Sequence, residues 1–148
     1  MRTRKMLFLV LCLVASLLPL GAAAAQDVAP IVVIKVTDPI AAETRPTQIP
    51  NPGAFTVYRN STAPSLGELI VYYKIGGTAT NGLDYKKLTG QVVIPGGAIA
   101  ATIPVAPIDD NLPEKTETVV VQLTAVCTPL YCVTNPSDPV TVYILDND

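Results

Sequence analysis

The sequence predicts an all-β domain built as a sandwich of two antiparallel sheets. Three observations carry that expectation. β-Branched and aromatic residues alternate with polar ones over short runs, Pro, Gly and Asn separate the runs, and no segment shows a helical period.

Each element has its own signal. Pro30 to Thr37 (Pro-Ile-Val-Val-Ile-Lys-Val-Thr) reads as a first strand, and Pro39 to Pro52, with four prolines, as an irregular stretch. Gly53 to Arg59 alternates, with Phe55 and Val57 on one face and Thr56 and Tyr58 on the other. Glu68 to Ile75 sets Leu69, Val71, Tyr73 and Ile75 on one face, and Gly76 to Gly82 is turn chemistry. A short strand, Gly90 to Ile94, ends at Pro95-Gly96-Gly97, and Ile99, Ala101, Ile103 and Val105 share a face in the next. Thr116 to Ala125 turns Val119, Val121 and Leu123 inward, and Asp138 to Leu145 turns Val140, Val142 and Ile144 inward. Alternation gives each strand one dry and one wet face, which two sheets packed face to face satisfy. About seven such strands in a domain of this length match an immunoglobulin-like sandwich, with a closed barrel as the alternative.

The N-terminus reads differently. Met1 to Lys5 is basic, Met6 to Leu20 is apolar but for Ser16 and Pro19, and Ala23 and Ala25 occupy the small-residue positions of a cleavage site. This is the pattern of a secretory signal peptide over residues 1–25, cut before Gln26 and leaving a domain of residues 26–148. The apolar run is shorter than the roughly 20 residues a spanning helix needs, and no second long apolar run follows it, so no membrane insertion is expected after cleavage. Cys12 lies inside that run and leaves with it. The expected location is secreted or periplasmic. Cys127 and Cys132, an even pair in an oxidising compartment, read as a disulfide closing a short loop, worth about 2 kcal/mol.

Loss of Arg2, Arg4 and Lys5 leaves seven of ten basic residues against twelve acids, a net charge of −5. An acidic surface disfavours nucleic acid and anionic membranes. Histidine is absent, which removes the common triads and imidazole acid–base work. A carboxylate-pair glycosidase would need an aromatic sugar cleft, and the chain beyond the leader has no Trp, one Phe and six Tyr. The chain is therefore not expected to be an enzyme.

The acids are placed unevenly. Asp109, Asp110, Glu114 and Glu117 crowd one stretch, Asp146 and Asp148 follow the last strand, and Asp84 follows a Gly turn. Crowded carboxylates raise one another's pKa values, and a divalent cation removes that penalty. Calcium accepts six to eight oxygens in flexible geometry, whereas zinc and copper want nitrogen or sulfur. On these residues alone the alternative stays open, namely acids that simply face water in their loops.

Four segments resemble a known family. Gly77-Thr-Ala-Thr-Asn-Gly-Leu-Asp84-Tyr85, Ile94-Pro-Gly-Gly97 with Ala100-Ala-Thr-Ile103, Ile108-Asp-Asp-Asn-Leu-Pro-Glu-Lys-Thr-Glu-Thr118, and Val142-Tyr-Ile-Leu-Asp-Asn-Asp148 are similar, in order, to the signature stretches of Calx-beta domains. Glu43, ahead of Gly53 to Arg59, fits an earlier acidic position. The resemblance implies a seven-stranded immunoglobulin-like sandwich with calcium held at one end. The ligands it implies are Glu43, Asp84, Asp109, Asp110, Glu114, Glu117, Asp146 and Asp148. Asn147 stands where strong binders carry a third acid, and Lys115 lies inside the acidic loop. The implied affinity is weak, roughly 10⁻⁴ to 10⁻³ M. The best-known members of the family this chain resembles are regulatory calcium sensors in sodium–calcium exchangers and adhesive repeats in integrin β4 and in many bacterial surface proteins. A structural or adhesive module with a protein partner at the cell surface or in the periplasm is thus expected, its oligomeric state open. The alternative is a metal-free interaction module that keeps the acidic motif.

Overall fold

The structure is a computed structural model that describes residues 30–60, 67–124, 132–133 and 138–148. The expected signal peptide and the boundary at Gln26 lie outside these residues. So does Cys127, and with it the expected bridge to Cys132.

Among the described residues there are nine strands and no helix: β1 (Ile31–Asp38), β2 (Ile40–Ala42), β3 (Gly53–Asn60), β4 (Leu69–Gly77), β5 (Gln91–Ile94), β6 (Ala100–Val105), β7 (Glu117–Leu123), β8 (Cys132–Val133) and β9 (Val140–Leu145). No helix of these residues is long and apolar enough to cross a membrane. The strands form two sheets, ordered β6-β3-β1-β8 and β2-β9-β7-β4-β5. The expected all-β sandwich is the fold observed. Its long strands pair antiparallel, and two short ones, β8 on β1 and β2 on β9, pair parallel.

The alternation fixes the core. Val32, Phe55, Val57, Val71, Val105, Val119, Val121 and Val142 are fully buried between the sheets, joined by Leu69, Tyr73, Ile103, Leu123 and Ile144. Two details differ from the sequence reading. Ile99 is 60% exposed because it belongs to the turn before β6 rather than to its inward face. The Pro39–Pro52 stretch is not wholly irregular, since β2 lies within it.

Two further features mark the β3–β6 side of the sandwich. Arg59 shares the inward face of β3 and is only 4% exposed. Its guanidinium donates to the carbonyls of Ala98 (2.7 Å), Gly67 (2.8 Å) and Pro95 (2.9 Å). At the β6 margin of that sheet, Arg59 N–H bonds to Ile99 O, which sets the phase of the β3–β6 ladder. Ala101, Ile103 and Val105 therefore bond to β3, while Ala100, Thr102 and Pro104 turn their backbones outward. Pro104 has no N–H to offer there.

Candidate metal centre

The acidic residues collect at the end of the sandwich where β4 and β9 finish and β7 begins, as the β4–β7 and β7–β9 registers require. Each arrives by a local cause. Glu43 is placed by β2: its N–H bonds to Leu145 O (2.9 Å), extending the parallel pairing of β2 with β9. Glu117 opens β7. Its neighbour Thr118 exchanges bonds with Thr78 (2.9 and 3.0 Å) and accepts from Ala79 N–H (3.1 Å). This close approach needs Gly77, whose φ is 109° and where any Cβ would overlap the Thr118 carbonyl.

Asp84 sits in a tight turn. Asp84 N–H and Leu83 N–H both bond to Thr80 O, and Asp84 Oδ2 accepts from Thr80 N–H (2.6 Å). Asn81 closes the loop base, donating to Leu88 O (3.0 Å) and accepting from Leu88 N–H (2.8 Å). The Asp109–Glu114 loop is tied to the end of β9 by Glu114 N–H to Asp146 Oδ2 (2.8 Å) and Asn147 Nδ2–H to Asp109 Oδ1 (2.6 Å). Asp110 Oδ1 accepts from Leu112 N–H (2.7 Å) within the loop.

Two groups of carboxylates result. Oxygens of Glu43, Asp146 and Asp148 lie within 4.8 Å of one another, as do those of Asp84, Glu114 and Glu117. Asp109 and Asp110 belong to neither trio, although their charges reach Glu43. Lys115 is exposed.

The electrostatics reflect the crowding. Burial first, and then the charges of Asp146, Asp110, Glu114 and Asp109, push Glu43 up to about 7. Glu117 is also pushed up to about 7, by burial first and then by its hydrogen bond to Asp84 and the charges of Asp84 and Glu114. Asp146 moves the other way, held below its ordinary value chiefly by the Glu114 N–H. The site therefore contains one carboxylate favoured in its ionised form, Asp146, and three whose negative charge is opposed, Glu43, Glu117 and Glu114.

Three acceptor atoms in the site are buried with no hydrogen-bond partner: Glu43 Oε2, Glu117 Oε2 and Asn147 Oδ1. Orphaned buried acceptors are uncommon and costly. All three are oxygens, and the surrounding donor set offers neither imidazole nor thiolate. The chemistry fits a hard divalent cation of the calcium type, which would take these lone pairs and relieve the repulsion in one step. Two residues here lie beyond the acids the sequence singled out. Asn147 supplies one orphaned oxygen, and Tyr85, fully buried beside Asp84, carries a hydroxyl without a partner.

Comparison with known proteins bears on the family and the fold. The model of a family described as the Calx-beta domain matches residues 52–148, which covers β3 to β9 and leaves Glu43 outside. Among solved structures the chain is similar to the apo form of the Calx CBD1 domain, at 21% identity and a TM-score of 0.55, covering 79% of this chain and 98% of that one. It is also similar to CBD12 from CALX1.2, at 21% identity and a TM-score of 0.53, covering 78% of this chain and 44% of that one. These likenesses show the sandwich fold. No curated protein sequence matches.

Proposed function

This chain belongs to the Calx-beta domain family, and we propose that it is an extracytoplasmic calcium-binding module with a structural or adhesive role. The observation that carries this reading is Glu43. Its side chain is 6% exposed, one carboxylate oxygen has no partner, and the neighbouring charges belong to Asp146, Asp110, Glu114 and Asp109. A bare anion in that position is costly unless it is protonated or meets a cation. Calcium would be held by the two carboxylate trios, with Asp109, Asp110 and Asn147 Oδ1 completing an oxygen cage. It would supply positive charge and cross-link four segments: the residue after β2, the Asp84 turn, the Asp109–Glu117 stretch and the end of β9.

The leader pattern of residues 1–25 supports export, and weak affinity suits an extracellular setting. A bridge between Cys127 and Cys132 fits the same setting. We assign no catalysis and expect a protein partner. The metal-free alternative also has support, since Glu43 and Glu117 with pKa values of about 7 shed repulsion by taking protons.

Calorimetric titration with calcium separates the two readings. Saturable heat at submillimolar to millimolar calcium, with a rise in Tm, is the expected result. No heat and no rise at 10 mM calcium would refute calcium binding and leave the metal-free module.

A further inference from the structure

Like charges on the 109–114 loop and at the end of β9 should drive the two apart. Yet the loop is held against the strand end at both of its own ends, by residues far apart in sequence. Asn147 Nδ2–H reaches Asp109 Oδ1 across 38 residues, and Glu114 N–H reaches Asp146 Oδ2 across 32. One of these bonds has a backbone donor, the Glu114 N–H, and a side-chain acceptor. The other comes from a neutral side chain standing between two acids.

We propose that Asn147 is a positioning residue that docks the Asp109–Glu114 loop before any cation arrives, so that the ligand set is assembled in the cation-free protein. An amide carries two N–H donors and a carbonyl acceptor, whereas an ionised carboxylate can only accept. Asparagine at 147 therefore grips Asp109 with one donor and keeps Oδ1, which is buried and unpartnered, free to face an ion. Aspartate there would add a further charge and lose the grip. The sequence presents Asn147 as a missing acid; the geometry assigns it a hold on the loop. A loop held in advance changes little when the ion enters, so calcium at this end reinforces an existing arrangement instead of switching between two.

The inference rests on reading this end as a cation site, but its first test needs no cation. Amide hydrogen exchange by NMR would be followed in chelator for the unaltered protein, Asn147→Ala and Asn147→Asp. The Glu114 N–H is the reporter, because its partner is Asp146, and the Val119 and Val121 amides of β7 are the fold control. The expected result is a protected Glu114 amide in the unaltered protein and about tenfold faster exchange in Asn147→Ala. Asn147→Asp should exchange faster still in chelator and regain protection when calcium chloride is added. Exchange at the free-peptide rate in the unaltered protein, or equal rates in the unaltered protein and Asn147→Ala, overturns the proposal. Should the β7 amides accelerate in parallel, the unaltered protein alone decides. A Glu114 amide protected in chelator to within about tenfold of its value in calcium supports the hold, and a larger gain on adding calcium refutes it. A held loop combined with no calorimetric heat would refute calcium binding while leaving this inference standing.

Discussion

The two ends of the sandwich solve opposite problems. At the end where β3 finishes and β5 leads to β6, three backbone carbonyls converge, and the chain supplies its own cation, Arg59, to satisfy them. At the other end carboxylates converge, and buried oxygens of Glu43, Glu117 and Asn147 are left without partners. One end is closed by covalent inheritance, with its positive charge built into the chain. The other is closed only to the extent that something from solution completes it. The first end should be indifferent to ionic conditions, and the second should respond to calcium and to pH.

The largest effect is expected at the self-sufficient end. Arg59→Met should cost about 3 kcal/mol in urea unfolding, because three part-buried charge-assisted bonds vanish and three carbonyls lose their donor. That loss should be the same in calcium and in chelator. A calcium-dependent loss would mean that the two ends are coupled, and the contrast would break.

The next effect belongs to the open end. With a dissociation constant of roughly 10⁻⁴ to 10⁻³ M, 10 mM calcium should add about 1.5 to 3 kcal/mol to the stability of the unaltered protein. Asp109→Asn combined with Asp110→Asn should abolish the gain, read as the calcium-induced shift in Tm. Arg59→Met should retain it. Equal shifts in the double variant and the unaltered protein would exclude the loop from the site.

Gly77→Ala sharpens the comparison by acting on backbone alone. A positive φ and an overlap with the Thr118 carbonyl should cost about 2 kcal/mol and pull the start of β7 away from the Asp84 turn. Calcium affinity should fall with stability, as calorimetry on the folded fraction would show. Unchanged affinity would mean that Glu117 is not placed by this contact.

The smallest substitution effect comes with the pH response. Glu43 and Glu117 have folded-state values of about 7 against an ordinary 4.5, so the folded protein binds more protons than the unfolded chain between those values. Calcium-free stability should therefore fall as pH rises from about 4.5 to about 7 and level off above. Glu43→Gln should flatten this slope and raise calcium-free stability at pH 7 by about 1 kcal/mol. Thermal melts across pH in chelator check both points, and a slope of opposite sign would refute the repulsion.

Most of the sandwich was legible because alternation is a direct imprint of one dry face. Phe55, Val57, Val119, Val121 and Val142 lie where period two put them. The same rule places Arg59 on the inward face of β3, a signal available in the sequence but easily overlooked because the residue is charged. β2 and β8 were not legible. Two or three residues carry no period, and their parallel pairing with β9 and β1 is a long-range event. The position of Glu43 depends on β2, so the motif could suggest that residue but only the fold could seat it. Asn147 was visible as a departure from an acidic pattern, whereas its bond to Asp109 required knowing which loop lies opposite.

Pro104 bears on how these molecules treat one another at high concentration. A β-sandwich has exposed sheet margins, and a bare margin is a template on which a second copy can add its own strand and a third can follow. On the outward side of β6, Ala100 and Thr102 offer donors, and the next outward position offers a ring. An incoming strand would find its ladder cut short there, too brief to hold. The adjoining stretch of that margin is already covered, where Lys86 N–H bonds to Ala106 O and Ile108 N–H to Asp84 O, and Pro104 shortens the ladder that what remains could offer.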